Sequence, residues 1–173
     1  MRILPATSDQ FAAIIALNEE SVDVLAPLSP ARLELLDSLA SFHKVALEDP
    51  RDVIGFVLAF GSDVRHDSVN FRWFAARYSS FLYVDRVVVA SDRRGTGVGR
   101  ALYEDLFSFA RRAGYERVTC EIDTDPPNPS SERFHDAFGF REVGVQRVEY
   151  VAGRPKRVSL RSAPTVRISP TTA

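Results

Sequence analysis

Between a valine-rich run, Phe81–Ala90, and a long amphipathic pattern from about Val98 to Arg112, the chain reads Arg93-Arg94-Gly95-Thr96-Gly97-Val98-Gly99-Arg100. Glycine at alternate positions lets the backbone turn tightly and leaves successive amide groups uncovered. Set between a strand end and a helix start, those N–H groups converge on one point, and the positive end of the helix dipole adds to them. The guest that suits them is a phosphate or diphosphate, with Arg93, Arg94 or Arg100 as counter-charge. Spacing excludes two well-known phosphate loops. The dinucleotide fingerprint needs glycine where Arg100 stands, and the triphosphate loop needs Gly-Lys followed by Ser or Thr, whereas this segment has no lysine. A tight strand–helix connection without a ligand is the alternative, and three arginines beside the glycines weigh against it.

The rest of the chain reads as one α/β domain. Its 173 residues suit a single core, and 22 basic against 23 acidic side chains leave a net charge of −1. No overall field would gather nucleic acid or anionic lipid. The last stretch is locally basic, with Arg147, Arg154, Lys156, Arg157, Arg161 and Arg167, and reads as a solvated edge hairpin rather than a partner-binding patch. A lone Cys120 inside an apolar strand pattern suits a small buried hydrophobe in a reducing compartment. The first ten residues lack the apolar run of a signal peptide and no later segment is long enough to span a bilayer, so a cytoplasmic, soluble protein is expected.

Patterning predicts a short strand at 2–5, a helix through Phe11–Leu17, and a second helix over Ala31–Ser41 after Pro27 and Pro30. Phe42–Leu47 and Val53–Phe60 read as a hairpin, and Gly61–Ser80 as a loop with a short helix. Beyond the glycine segment come a strand at Arg117–Asp123, a rigid proline loop, and a short helix over Ser130–Phe138. A final hairpin, Glu142–Val151 and Lys156–Leu160, turns around Gly153. The domain is expected over 1–162, with 163–173 a poorly ordered tail.

Arg94-Gly95-Thr96-Gly97-Val98-Gly99 resembles the Arg/Gln-x-x-Gly-x-Gly/Ala signature of the GNAT superfamily of N-acetyltransferases. A second signature stands in order downstream: the strand Glu121-Ile122-Asp123, then Asn128, Ser131, Phe134-His135 and Gly139-Phe140. The resemblance implies a single mixed, mostly antiparallel sheet flanked by helices, whose central parallel strands, Phe81–Ala90 and Arg117–Asp123, splay apart. It implies acetyl-coenzyme A as acyl donor and no metal. The diphosphate would lie on the amides of Arg94, Gly95, Thr96, Gly97, Val98, Gly99 and Arg100, and the pantetheine arm along the main chain of Val87, Val88 and Val89, as an added strand. Asn128, Ser131 and Phe134 would meet the arm from the other side. An amide at Val87 or Val88 could hold the oxyanion.

The activity implied is acetyl transfer to a primary amine of a small molecule or peptide, by direct attack through a tetrahedral intermediate. Protein lysine or N-terminal acetylation, and non-catalytic binding of coenzyme A, are the alternatives. His135 stands where the family commonly has a tyrosine acid, so it would protonate the leaving thiolate, unless it merely packs. Asp85 and Tyr83, on one strand face with Val87, complete the catalytic set, Asp85 as a base working through water unless it only pairs with Arg86. For the acceptor, Glu20 would bind a cation, and Asn70, Trp73, Phe74 and Tyr78 would line the mouth, unless these aromatics only staple a loop to the core. A homodimer is compatible with the edge hairpin.

Overall fold

The structure, a computed structural model, describes residues 1–21, 25–50, 52–149 and 155–166. It contains two compact units. The first comprises Met1–Val64 and Val84–Phe109, and the second Arg65–Tyr83 and Ala110–Ala173.

In the first unit, β1 (Arg2–Pro5), β2 (Phe42–Leu47) and β3 (Val53–Gly61) lie in sequence order, followed by β4 (Leu82–Val89). β1 and β2, and β2 and β3, pair antiparallel. Every residue of β3 is buried, which is why Val53-Ile54-Gly55-Phe56-Val57-Leu58 reads as a continuous apolar run without alternation. Helix α1 (Phe11–Glu19) buries Ile14 and Leu17, and α2 (Pro30–Leu39) buries Leu33 and Leu36. Ser29 caps α2, its Oγ accepting from the Arg32 N–H, and Pro30 supplies the preset first turn. Helix α4 (Val98–Arg112) follows the glycine segment and buries Val98, Leu102 and Leu106 within this unit.

In the second unit the strand order is β4, β5 (Arg117–Asp125), β7 (Pro155–Pro164) and β6 (Arg141–Glu149). β4 and β5 run parallel, in register at Leu82/Val118 and Tyr83/Thr119. β7 pairs antiparallel with both β5 and β6. Helix α3 (Val69–Ala75) is capped by Ser68, whose Oγ accepts from the Asn70 and Phe71 N–H groups. Helix α5 (Pro129–Ala137) is capped by Asn128 with Pro129 at its first position. Seven strands among the described residues, with β4 and β5 parallel and four neighbouring pairs antiparallel, make the mixed, mostly antiparallel α/β sheet flanked by helices that the resemblance implies.

One expectation for the C-terminal region is corrected. Residues 163 and 164, assigned above to the poorly ordered tail, instead extend β7 to Pro164, because Ser162, Ala163 and Pro164 find partners at Thr119, Val118 and Arg117; 167–173 lie outside the described residues. Thr165 then donates its hydroxyl to the carbonyls of Tyr115 and Glu116 at 2.7 and 3.1 Å. The final hairpin does end the sheet, with β6 outermost and Arg147 exposed on it, while β7 lies inside it. Arg161 is buried, bonding Asp136 at 2.7 Å and Glu132 at 3.0 Å on α5, and Lys156 binds Asp123 at 2.8 Å. The turn at Gly153, with Arg154 and Arg167, lies outside the described residues. Cys120 is buried, and burial pushes its thiol well above the usual range. Among the described residues no helix is long and apolar enough to cross a membrane.

Candidate active site

The glycine segment has the geometry its composition predicts. Ser91–Arg93 forms a single 3-10 turn after β4, and Gly95 and Gly97 take φ of +79° and +96°. Neither glycine has a heavy atom within 4 Å of where a Cβ would lie, so backbone conformation and not crowding requires glycine there. Arg94, Gly95, Thr96 and Gly97 are exposed, while Val98 is buried and roots the first turn of α4. The first intrahelical acceptor is the Gly97 carbonyl, taken by the Ala101 N–H at 3.0 Å. The amides of Val98, Gly99 and Arg100 therefore belong to the opening turn, whose N–H groups have no helical partner.

The three arginines expected as counter-charges differ. Arg93 is turned to Glu48 on one side and Asp92 on the other, 3.5 Å away, so it braces the turn. Arg94 is exposed and folds back to donate from Nε to the Val89 carbonyl at 3.3 Å. Arg100 is exposed on the first turn of α4. Thr96 closes the turn from inside, its hydroxyl donating to the Arg93 carbonyl at 2.6 Å. On β4, Val87 and Val89 are half-buried and Val88 is buried.

Asp85 forms the ion pair that was its plainer reading: Arg86 Nε lies 3.0 Å from its carboxylate. The buried Arg86 guanidinium also donates to Asn18 Oδ1 at 2.8 Å and to the Ala26 carbonyl at 2.7 Å, tying the segment after α1 to β4. Glu20, expected to bind a cationic acceptor, accepts instead from the Ser91 N–H at 3.1 Å, at the entry to the glycine turn.

In the second unit His135 is buried on α5, its ring edge-on to Phe140 at 5.1 Å and to Phe134 at 5.3 Å. Its Nδ1 lies 2.7 Å from the Ser131 carbonyl, which can only accept, so the Nδ1 carries the proton. Burial lowers its pKa to about 4, against the pull of that hydrogen bond. Asn128 and Ser131 serve the helix itself: the Asn128 side chain accepts from the Ser131 N–H at 3.2 Å. Phe134 is half-buried, packed on Phe138.

Of the residues expected at the acceptor mouth, Asn70 and Phe74 are instead buried, as is Tyr83, while Trp73 and Tyr78 are half-buried. Phe74 is buried, with Phe81 and Tyr83 rings 6.2 and 6.1 Å away, because α3 turns it inward at helical spacing from Phe71. Tyr83 is buried, donates its hydroxyl to Glu121 at 2.9 Å, and has Ser68 Oγ 3.3 Å away. Asn70 is buried and accepts from Gln146 at 2.9 Å. Trp73 is half-buried against Gly144, with Arg77 stacked 3.8 Å over its ring. Tyr78 takes Arg117 on its face at 4.1 Å.

Sequence reasoning missed Glu48, Glu121 and Gly55, and offered Asn18 for the acceptor mouth where it instead accepts from Arg86. The two acids are polar residues whose partners lie far along the chain. Gly55 did leave a signal, an isolated glycine inside an apolar strand, which marks close backbone approach.

Comparison with known proteins places this geometry. The chain superposes on a ribosomal-protein-S18-alanine N-acetyltransferase from Escherichia coli with a TM-score of 0.71 at 14% identity, covering 99% of this chain and 98% of the other. It superposes on Ard1 from Thermoplasma volcanium with a TM-score of 0.77 at 16% identity, over 96% and 98%. A phosphinothricin acetyltransferase from Sinorhizobium meliloti in complex with acetyl-coenzyme A gives 0.71 at 22% identity, over 94% and 87%. These likenesses are of fold. No curated protein matches the chain in sequence. The sequence profile of the acetyltransferase (GNAT) family matches residues 12–140, well over half of the chain. Acetyl-coenzyme A carries a diphosphate, the group that the exposed turn and the opening amides of α4 suit. By that match the chain belongs to the GNAT acetyltransferase family, and is an acetyltransferase that uses acetyl-coenzyme A.

Proposed function

We propose that the protein acetylates a primary amine of a small molecule or peptide. The observation that carries the reading is the exposed turn at Gly95 and Gly97 opening into the free first turn of α4. In this reading the amides from Arg94 to Arg100 hold the diphosphate and the main chain of Val87–Val89 aligns the pantetheine arm. Acetyl-coenzyme A supplies an activated thioester carbonyl and a thiol leaving group. A net charge of −1 offers a basic protein tail little attraction, which supports a small or peptide acceptor.

The proton chemistry is redistributed. A neutral imidazole whose one N–H is given to Ser131 has no proton to offer near neutral pH, so His135 acts here as a positioning residue of α5. Asp85 is held by Arg86 and fixes β4 against Asn18 and Ala26. Acceleration then rests on holding the donor and acceptor in place, with solvent exchanging the protons.

Titration calorimetry with acetyl-coenzyme A, followed by thiol-release assays on small amines, amino acids and short peptides, tests the proposal. Binding with thiol release on these acceptors supports it. Thiol release on folded proteins alone would favour protein acetylation, binding without release a non-catalytic role, and no binding would end the proposal.

A further inference from the structure

The glycine turn is set by a residue that does not touch it. Gly55 is the third residue of β3, opposite Ala46 of β2, and with the terminal Gly61 is one of two glycines in a fully buried strand. A Cβ built on Gly55 would lie 2.9 Å from the carbonyl oxygen of Val88, 3.2 Å from Val98 Cγ1 and 3.4 Å from Leu102 Cδ1. Ordinary contact begins near 3.4 Å, so the first of these is a clash with backbone, which no rotamer change relieves. The three neighbours are not arbitrary. Val88 is the centre of the β4 stretch proposed to align the pantetheine arm, and Val98 and Leu102 are one turn apart on the face that roots α4. The next residue back, Ile54, accepts from the Ala90 N–H at 3.0 Å, immediately before the 3-10 turn.

We propose that Gly55 is a positioning residue of the acetyl-coenzyme A site: its missing side chain lets β4 and the start of α4 approach β3, and that approach sets the relation between the Val87–Val89 main chain and the opening amides of α4. The inference rests on the proposed placement of the cofactor. A methyl group at 55 must push either the Val88 carbonyl or the first turn of α4, and each is one side of the glycine turn. The turn joins them over only eight residues, Ala90–Gly97, and its two glycines already occupy φ values that other residues rarely adopt. It has little freedom to absorb the displacement.

The test is Gly55→Ala, measured by calorimetry with acetyl-coenzyme A and by thermal melting of the free protein. The expected result is a cooperatively folded variant whose dissociation constant rises at least about tenfold, in keeping with the cost of displacing binding groups by a fraction of an ångström. Gly55→Ala/Val98→Ala, which opens the side-chain part of the notch, should recover part of the affinity if α4 is what moves. Ala59→Val, an equally buried enlargement four residues along β3, should leave the dissociation constant within about twofold while lowering the melting temperature. If Gly55→Ala does not fold, Val98→Leu crowds the same notch from α4 and is judged by the same measure. A folded crowded variant that binds like the wild type overturns the inference alone. Wild-type protein that binds no acetyl-coenzyme A overturns the proposed function and the inference with it.

Discussion

At the scale of single residues, backbone conformation decides more than side-chain chemistry. Gly97 holds a φ of +96° with open space around it, so replacing it adds strain and no crowding. Gly97→Val should cost about 1–3 kcal/mol in conformational strain, and relief by distorting the turn should weaken acetyl-coenzyme A binding; urea unfolding and calorimetry on the same preparation check both. Glu20 and Glu48 are read here as supports, the one accepting from the Ser91 amide and the other pairing with Arg93. Glu20→Ala should therefore raise KM for acetyl-coenzyme A and leave KM for the amine unchanged, with Glu20→Gln, which keeps an acceptor oxygen, close to wild type. An acceptor-binding Glu20 would give the opposite split in steady-state kinetics. The glycine turn was legible in the sequence because its function is written in local spacing. The contact of Glu20 was not legible, because an acid on a helix end carries no sign of which amide, seventy-one positions on, it will meet.

At the scale of elements, packing explains which aromatics were misassigned. Phe71, Phe74, Phe81 and Tyr83 converge because α3 and the start of β4 present them to one interior, with ring centroids from 5.3 to 6.2 Å apart among them. A run rich in aromatics looks the same in sequence whether it lines a mouth or fills a core; only the inward phase of α3 separates the two. Trp73 rests on Gly144 so closely that an added Cβ would sit 2.5 Å from its ring. As the one tryptophan in the chain, it reports the contact. Gly144→Ala should shift its emission to longer wavelength, as the indole is lifted toward water, with little change in far-ultraviolet dichroism. Arg161 is the corresponding link between β7 and α5. Arg161→Ala leaves Glu132 and Asp136 without their shared cation; since both carboxylates are partly exposed, the expected loss is about 1–2 kcal/mol in urea unfolding rather than that of a fully buried pair. Element boundaries from β1 through α4 followed the patterning closely. β7 ran longer than expected because its last residues, Ser162-Ala163-Pro164, look like a breaking signal locally and are kept extended by Thr119, Val118 and Arg117.

At the scale of the whole molecule, buried titratable groups shape the response to acid. His135 has a folded pKa of about 4 against an ordinary 6.5, and burial lowers His43 as well, despite its hydrogen bond to Asp37. Between pH 6.5 and 4 the unfolded chain binds protons that the folded one refuses, so stability is fully present above 6.5 and falls as the pH drops toward 4. His135 alone accounts for roughly 3 kcal/mol over that interval, at 1.36 kcal/mol per unit. Asp123 works in the other direction, since burial raises its carboxyl above 3.8 even beside Lys156, and acid favours its folded form. Both imidazoles therefore contribute a loss on acidification, which the Asp123 carboxyl opposes. Unfolding free energies at pH 7 and pH 5 should differ by less in His135→Phe than in wild type.

The interior place of β7 also sets an order on synthesis. Translation must proceed through Pro164 before β5 gains its antiparallel neighbour and before β6 is joined to β5 at all. A chain ending at Glu149 would hold β5 and β6 without the strand that lies between them, leaving main-chain groups on both open to a passing edge.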